Sequence, residues 1–75
     1  MSQNNIPCIT EQEKQILQWV RLGQTNQQIA LSFGVATRTV EYHLGRIFKK
    51  LEVSNRTAAV VLAEKMGILD EETGG

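Results

Sequence analysis

The sequence predicts an all-α fold, a four-helix bundle within one small domain. One observation is a pair of capping boxes, in which a threonine precedes a glutamate or a glutamine by three residues: Thr10 with Glu13, and Thr25 with Gln28. A second is a run of apolar residues with helical spacing at positions 40, 44, 47 and 51. A third is that a glycine follows the first, second and fourth of the segments with helical spacing, at Gly23, Gly34 and Gly67. Glycine is common where a chain leaves a helix. No segment has the alternating pattern of a β-strand.

The first two helices follow from the capping boxes and from the apolar residues behind them. The first helix is expected to begin at Thr10 and to close near Gly23. The second is expected to begin at Thr25 and to end at Gly34, after which Val35 should point back into the core. The buried positions predicted on these two helices are Ile16, Leu17, Val20, Ile29, Ala30 and Phe33, with Trp19 beside them.

The third helix is predicted to have two unlike faces. It should begin near Ala36 or Thr37 and run to Leu51, and because alanine is a poor N-cap we expect Thr37 to cap it. At about 1.5 Å per residue, this segment spans roughly 22 Å. Its apolar stripe consists of Val40, Leu44, Ile47 and Leu51. Its opposite arc is polar and carries Arg38, Thr39, Glu41, Tyr42, His43, Arg46, Lys49 and Lys50.

The fourth helix is predicted to follow Ser54 or Asn55, either of which can cap it, and to run to about Met66. Ala59, Ala63 and Met66 should turn inward. The other side is expected to form a small self-association patch made of Ala58, Val61, Leu62 and Lys65. We expect residues 1–9 to be a flexible arm, residues 10–69 to be the folded domain, and residues 70–75 to be a disordered acidic tail.

The composition excludes several classes of protein. The chain has 75 residues, with one cysteine and one histidine, so neither an internal disulfide nor a structural zinc site is expected. No apolar run approaches the ~20 residues that a membrane-spanning helix needs, and the N-terminus lacks the pattern of a signal peptide. We therefore expect a cytoplasmic protein without a metal or a cofactor. No nucleophile with a base and no phosphate-binding loop appears, so an enzyme is not expected.

The arrangement of residues 25–51 indicates DNA binding. A short helix, a glycine-containing turn and a longer amphipathic helix are the parts of a helix-turn-helix, whose second helix enters the major groove. The formal net charge is zero, with 8 lysines and arginines against 8 aspartates and glutamates. However, the acids cluster near the ends of the chain, which leaves the middle locally cationic where phosphate contact would be needed. The central cations are Arg21, Arg38, Arg46, Lys49, Lys50 and Arg56, against Glu41 and Glu52. On the polar arc of the third helix we expect Arg38, Arg46, Lys49 and Lys50 to contact DNA.

The sequence also resembles the LuxR/GerE-type helix-turn-helix domain between residues 9 and 69. The matching spacings are Ile9-Thr10-x-x-Glu13-x-x-Ile16-Leu17, Gly23-x-Thr25-Asn26-x-x-Ile29-Ala30, Val35-x-x-x-Thr39-Val40-x-x-His43 and Lys50-Leu51-x-Val53-x-x-Arg56-x-x-Ala59-Val60. This resemblance implies a four-helix DNA-binding module, found alone or as the output domain of response regulators and quorum-sensing receptors. It further implies a weak homodimer through the fourth helix, stabilised on the inverted-repeat operator that it binds.

The resemblance also assigns contacts to individual residues. Base edges would be met by Glu41, Tyr42 and Gly45, and phosphates by Thr25, Thr39, His43, Arg46 and Lys49. The chain departs from the family pattern at three positions. Glu41 stands where lysine is usual, Gly45 where a long polar side chain is common, and Ala36 where a serine caps the helix.

Several interpretations remain open from the sequence. Glu41 is either a plain surface carboxylate or an acceptor for a cytosine amino group. Gly45 is either a neutral substitution that the helix tolerates or a position where the backbone approaches DNA closely. The main hypothesis is a sequence-specific transcription regulator of the bacterial nucleoid. The alternative is a protein-interaction module that docks on another regulator or on RNA polymerase. The promoter-reading region of sigma factors also opens with a Thr-x-x-Glu helix, but the spacings above favour the LuxR/GerE type.

Overall fold

The computed structural model describes residues 8–69, which form four α-helices and no strand. The helices are α1 (Glu11–Arg21), α2 (Asn26–Phe33), α3 (Thr37–Leu51) and α4 (Arg56–Lys65). Helix α3 packs against each of the other three, and α1 also packs against α4. The predicted all-α fold with a central helix-turn-helix is therefore confirmed. Across residues 8–69, no helix is both long enough and apolar enough to cross a membrane.

Both predicted capping boxes are present. The hydroxyl of Thr10 accepts from the backbone N–H of Glu13 at 3.1 Å, and the Glu13 carboxylate accepts from the N–H of Thr10 at 3.0 Å. Thr25 and Gln28 make the same pair of bonds at 3.1 and 2.9 Å. Of the two candidate caps for α4, Asn55 is the N-cap, and its side-chain oxygen accepts a hydrogen bond from the N–H of residue 58 at 2.8 Å. Each such cap is worth roughly 1 kcal/mol of stability.

The start of α3 differs from the prediction. Ala36 occupies the N-cap position and Thr37 is already the first helical residue, so no side chain caps this helix. The prediction for Val35 was also wrong, since this side chain is exposed rather than in the core. The reason lies in the turn, where Gly34 adopts a left-handed conformation and the N–H of Val35 bonds back to the carbonyl of Ala30 at 3.0 Å. This closure orients the chain for α3 through backbone bonds alone.

The core is formed by one face of each helix. Every residue of the predicted α3 stripe is buried, and so are most of the apolar positions predicted on α1 and α2. The buried apolar residues are Ile16, Leu17, Val20, Ile29, Ala30, Val40, Leu44, Ile47, Leu51, Ala59, Ala63 and Leu69. Trp19 and Phe33 are half-buried and pack edge to face, with ring centroids 4.9 Å apart. This contact joins α1 to the end of α2.

The described segment extends beyond the predicted domain at its N-terminal side. Ile9, which was predicted to lie in the flexible arm, packs against the core, and the carbonyl of Cys8 accepts a hydrogen bond from Lys50 of α3. The rest of the predicted arm and the predicted acidic tail lie outside the described residues. At the other end of α3, Glu52 closes the helix in the left-handed conformation, with φ 59°.

Candidate nucleic-acid interface

One side of α3 is exposed to solvent. Six residues spaced three or four apart are all exposed and form what we call the exposed α3 stripe: Arg38, Glu41, Tyr42, Gly45, Arg46 and Lys49. The buried residues of α3 lie on the opposite side of the helix. The stripe contains three cations and one carboxylate, so it is locally cationic in a chain without net charge. An exposed helix face of this kind can meet the edges of bases and the phosphates beside them.

Tyr42 and Arg46 form a pair in the middle of this stripe. Nη1 of Arg46 donates a hydrogen bond to the hydroxyl oxygen of Tyr42 at 3.2 Å, and the guanidinium carbon lies 5.8 Å from the centre of the tyrosine ring. The hydrogen bond to Tyr42 raises the pKa of Arg46. The two side chains therefore orient each other, and the arginine presents a permanent charge with donors left for another group.

On the α1 side of the stripe lie two half-buried residues that were assigned to phosphate contact, Thr39 and His43. The ring of His43 packs edge to face against Tyr42, with centroids 5.7 Å apart. His43 and Arg46 also border a shallow depression of about 170 Å³ beside the start of α1, where Gln12 lies. The structure thus brings His43 together with the stripe, as predicted.

Lys50 does not belong to this surface. Its ammonium group donates to a carboxylate oxygen of Glu13 at 2.7 Å and to the carbonyl oxygen of Cys8 at 2.8 Å. Its assignment to DNA contact is corrected to a contact within the fold, because the carboxylate of α1 draws the side chain away from the stripe. Among residues 8–69, Glu13 is the only buried charged residue, and Lys50 supplies its counter-charge.

The other flank of the stripe faces the beginnings of α2 and α4. Nη2 of Arg56 donates to the side-chain oxygen of Asn26 at 3.0 Å and so joins these two helix starts beside Glu41. Arg56 is one of the central cations of the sequence, but its position near the stripe was not predicted. The sequence did contain a signal for this proximity, since Arg56 and Asn26 both belong to the spacings that match the LuxR/GerE type. Thr25, also assigned to phosphate contact, is exposed at the start of α2, and its hydroxyl already accepts the capping bond.

The patch predicted on α4 is only partly open. Val61 is 45% exposed and Lys65 is exposed, whereas Ala58 and Leu62 are half-buried and Leu62 packs against the core. Val61 borders a groove of about 420 Å³ that also contains Val20 and Val60. The four predicted residues therefore divide into two that are available to a partner and two that are largely used by the fold.

Comparison with known proteins identifies the chain. The model of a family described as bacterial regulatory proteins, luxR family, matches residues 7–63. The chain belongs to this family. Members of the luxR family are DNA-binding transcription regulators and not enzymes, which confirms the prediction made from the helix-turn-helix spacing.

Similar family members come from several bacteria. The transcriptional activator protein ExpR of Dickeya dadantii is 40% identical over 60 residues, which are 80% of this chain and 24% of that protein. The transcriptional regulatory protein ComA of Bacillus subtilis is 44% identical over 68 residues, which are 91% of this chain and 32% of that protein. The chain thus spans about a quarter to a third of the length of these curated relatives.

Solved structures of the luxR type share the fold. The response regulator ChrA of a heme-sensing two-component system superposes with a TM-score of 0.80 at 35% identity, over 83% of this chain and 31% of that one. The transcription factor GerE superposes with a TM-score of 0.77 at 26% identity, over 81% of this chain and 91% of that one. This likeness confirms the predicted LuxR/GerE-type arrangement of four helices.

Proposed function

We propose that the domain binds duplex DNA sequence-specifically by placing the exposed α3 stripe in the major groove. The observation that carries this proposal is the continuous exposure of six α3 residues opposite a fully buried face. Helix α3 is long enough for its first half to cross the groove, since 15 residues at about 1.5 Å each give roughly 22 Å. Arg38, Arg46 and Lys49 supply the cations that a phosphate backbone requires.

Within this stripe, phosphate contact and base contact fall to different residues. Arg46 is held by Tyr42 toward the α1 flank, where His43 and Thr39 also lie, so this flank is suited to one phosphate backbone. Glu41 lies on the opposite flank and would repel phosphates. A carboxylate at this position is best explained by a base-edge donor, and the amino group of cytosine is the one that matches it.

We further propose that two domains bind an inverted-repeat operator as a weak dimer in the bacterial nucleoid. The exposed Val61 on α4 supports a two-fold contact, and cyclic symmetry of a dimer would match the symmetry of the operator. Contact with RNA polymerase belongs to the alternative function considered below.

The test begins with selection of bound sequences from a random pool of duplexes, followed by binding measurements on half-site duplexes at several salt concentrations. Arg46→Ala should weaken binding to selected and scrambled duplexes alike and reduce the salt slope by about one counterion. Glu41→Gln should raise affinity for scrambled DNA but narrow the gap to the selected site by roughly 1–3 kcal/mol. Lys65→Ala, which removes a cation from α4, is the matched control and should leave half-site binding unchanged.

The alternative function, docking on another regulator or on RNA polymerase, is favoured by a specific feature. The carboxylate of Glu41 offsets one of the three positive charges of the stripe, Gly45 adds none, and the charge of Lys50 is paired with Glu13 inside the fold. If the pool yields no enriched sequence and Arg46→Ala leaves the salt slope unchanged, the DNA-binding proposal fails and this alternative replaces it.

A further inference from the structure

Gly45 lies in the middle of the exposed α3 stripe, and the fold does not require a glycine at this position. Its backbone is ordinary α-helix, and a Cβ atom placed on it would have nothing within 4 Å. Glycine is the least favourable residue in a helix interior after proline. The absence of a side chain at this position therefore changes the surface of α3 rather than its packing.

Gly45 lines a recess at the edge of the stripe, between α3 and the starts of α2 and α4. The recess has a volume of about 370 Å³ and runs from Gly45 toward the half-buried ring of Phe48 and the edge of Leu44. Glu41 stands on its rim, and Arg56 lies at its far end, where it bonds to Asn26. We call this recess the Gly45 notch. Its floor is apolar, whereas the residues around it on the stripe are polar or charged.

The chemistry of the major groove limits what can enter such a recess. Base edges present hydrogen-bond donors and acceptors, and their one apolar group is the C5 methyl of thymine. We propose that the Gly45 notch receives the methyl group of a thymine, so that Gly45 determines specificity through the side chain that it lacks. This inference rests on the proposed binding of α3 in the major groove.

The position of the notch also predicts how far the thymine lies from the base that meets Glu41. Glu41 precedes Gly45 by four residues, so the two positions lie one helical turn apart on the same side of α3, about 5–6 Å from each other. Successive base pairs are 3.4 Å apart. The thymine that enters the notch therefore lies within two base pairs of the base whose amino group meets Glu41. The half-site should therefore contain this thymine and the cytosine that meets Glu41 within two base pairs of each other.

The experiment uses the chain as it exists and a half-site duplex recovered by selection. Each thymine in turn is replaced by deoxyuridine, which removes only the methyl group and leaves every hydrogen-bonding atom in place. One replacement should weaken binding about three- to fivefold, as expected for one buried methyl group. Uracil at the other thymines is the internal control and should have little effect.

A variant then connects the effect to the notch. Gly45→Gln fills the recess with a side chain that favours helix, and circular dichroism should show an unchanged helix content. In this variant the loss on uracil substitution at the sensitive thymine should disappear or reverse. An equal loss in both proteins would show that the methyl lies elsewhere, and no loss at any thymine would overturn the inference. In either case DNA binding itself would stand, because it is measured separately on the same unmodified duplex.

Discussion

Lys50 at the end of α3 and Glu13 in the first turn of α1 form an ion pair with an N–O distance of 2.7 Å, across 37 residues of sequence. Glu13 is 4% exposed, and the same carboxylate oxygen accepts the N–H of Thr10. The pair thus joins the capping box of α1 to the C-terminal end of α3. Because α3 carries the exposed stripe, this contact helps to fix the angle at which the stripe is presented.

Two neighbouring lysines should therefore behave differently when their charge is removed. Lys50→Met leaves the buried Glu13 without its counter-charge and should lower the free energy of unfolding by about 1–3 kcal/mol. Lys49→Met, on the exposed stripe, should leave stability nearly unchanged but reduce the salt slope of DNA binding by about one unit. Urea unfolding and salt-dependent binding measure the two quantities. A smaller salt slope in Lys50→Met with wild-type stability would contradict this division.

The same carboxylate predicts a loss of stability in acid. Burial raises the pKa of Glu13, but the hydrogen bonds from Lys50 and Thr10 and the charge of Lys50 outweigh burial, so the pKa lies below its ordinary value. The unfolded chain therefore takes up the proton first as the pH falls. The stabilisation is fully present above the ordinary glutamate pKa of about 4.3 and is lost as the pH falls through the lower pKa of the folded state.

Urea midpoints measured from pH 7 to pH 3 test this expectation. Glu13→Gln retains an acceptor for the N–H of Thr10 but cannot titrate, so its stability should fall less steeply below pH 5 than that of the wild type. Equal slopes in the two proteins would assign the acid sensitivity to other carboxylates.

Glu52 offers a way to stabilise the domain. It adopts the left-handed conformation at the end of α3, which is unfavourable for residues other than glycine because their Cβ atom comes too close to the following carbonyl oxygen. Glu52→Gly should raise the free energy of unfolding by about 1 kcal/mol, or Tm by about 4–8 °C. Glu52→Gln removes the charge but keeps the conformational cost, so it separates the two effects. A gain of the same size in Glu52→Gln would show that charge, and not backbone conformation, is responsible.

Gly45 and Gly34 should respond to alanine in opposite directions. Gly45→Ala places a methyl group in open space within an ordinary helix and should stabilise the domain by about 1 kcal/mol. Gly34→Ala forces a left-handed conformation at φ 74° and should destabilise it by about 1–2 kcal/mol. Thermal unfolding of the two variants measures both values. Destabilisation by Gly45→Ala would mean that the helix needs glycine at that position.

The α4 patch is tested by Val61→Glu. Val61 is exposed and lies outside the core, so the substitution should not affect folding, but it would place like charges across a two-fold axis. Cooperative binding to a full inverted repeat should be lost, whereas binding to a half-site should remain. Gel shifts on the two duplexes and sedimentation of the free protein make the comparison. Retained cooperativity would move the dimer contact away from Val61.

Features of the fold that depend on neighbouring residues could be predicted from the sequence. The two capping boxes and the buried apolar stripe of α3 follow from spacings of three or four residues, and the structure contains all three. Predictions failed where the outcome depended on backbone geometry or on distant contacts. Val35 is turned outward by backbone bonds around Gly34, and Lys50 is drawn inward by Glu13, which no local pattern on α3 reveals. The proximity of Arg56 to Glu41 depends in the same way on how α4 crosses α3.

The separation of the exposed α3 stripe from the core has a consequence for how such a domain changes over time. None of its six residues is buried, so each can be exchanged without disturbing the packing that holds the four helices together. Mutations that change the chemistry of the stripe and mutations that disturb the packed core therefore fall on different positions of the same helix. A lineage with this scaffold can therefore exchange the residues of the stripe through intermediates that are all folded.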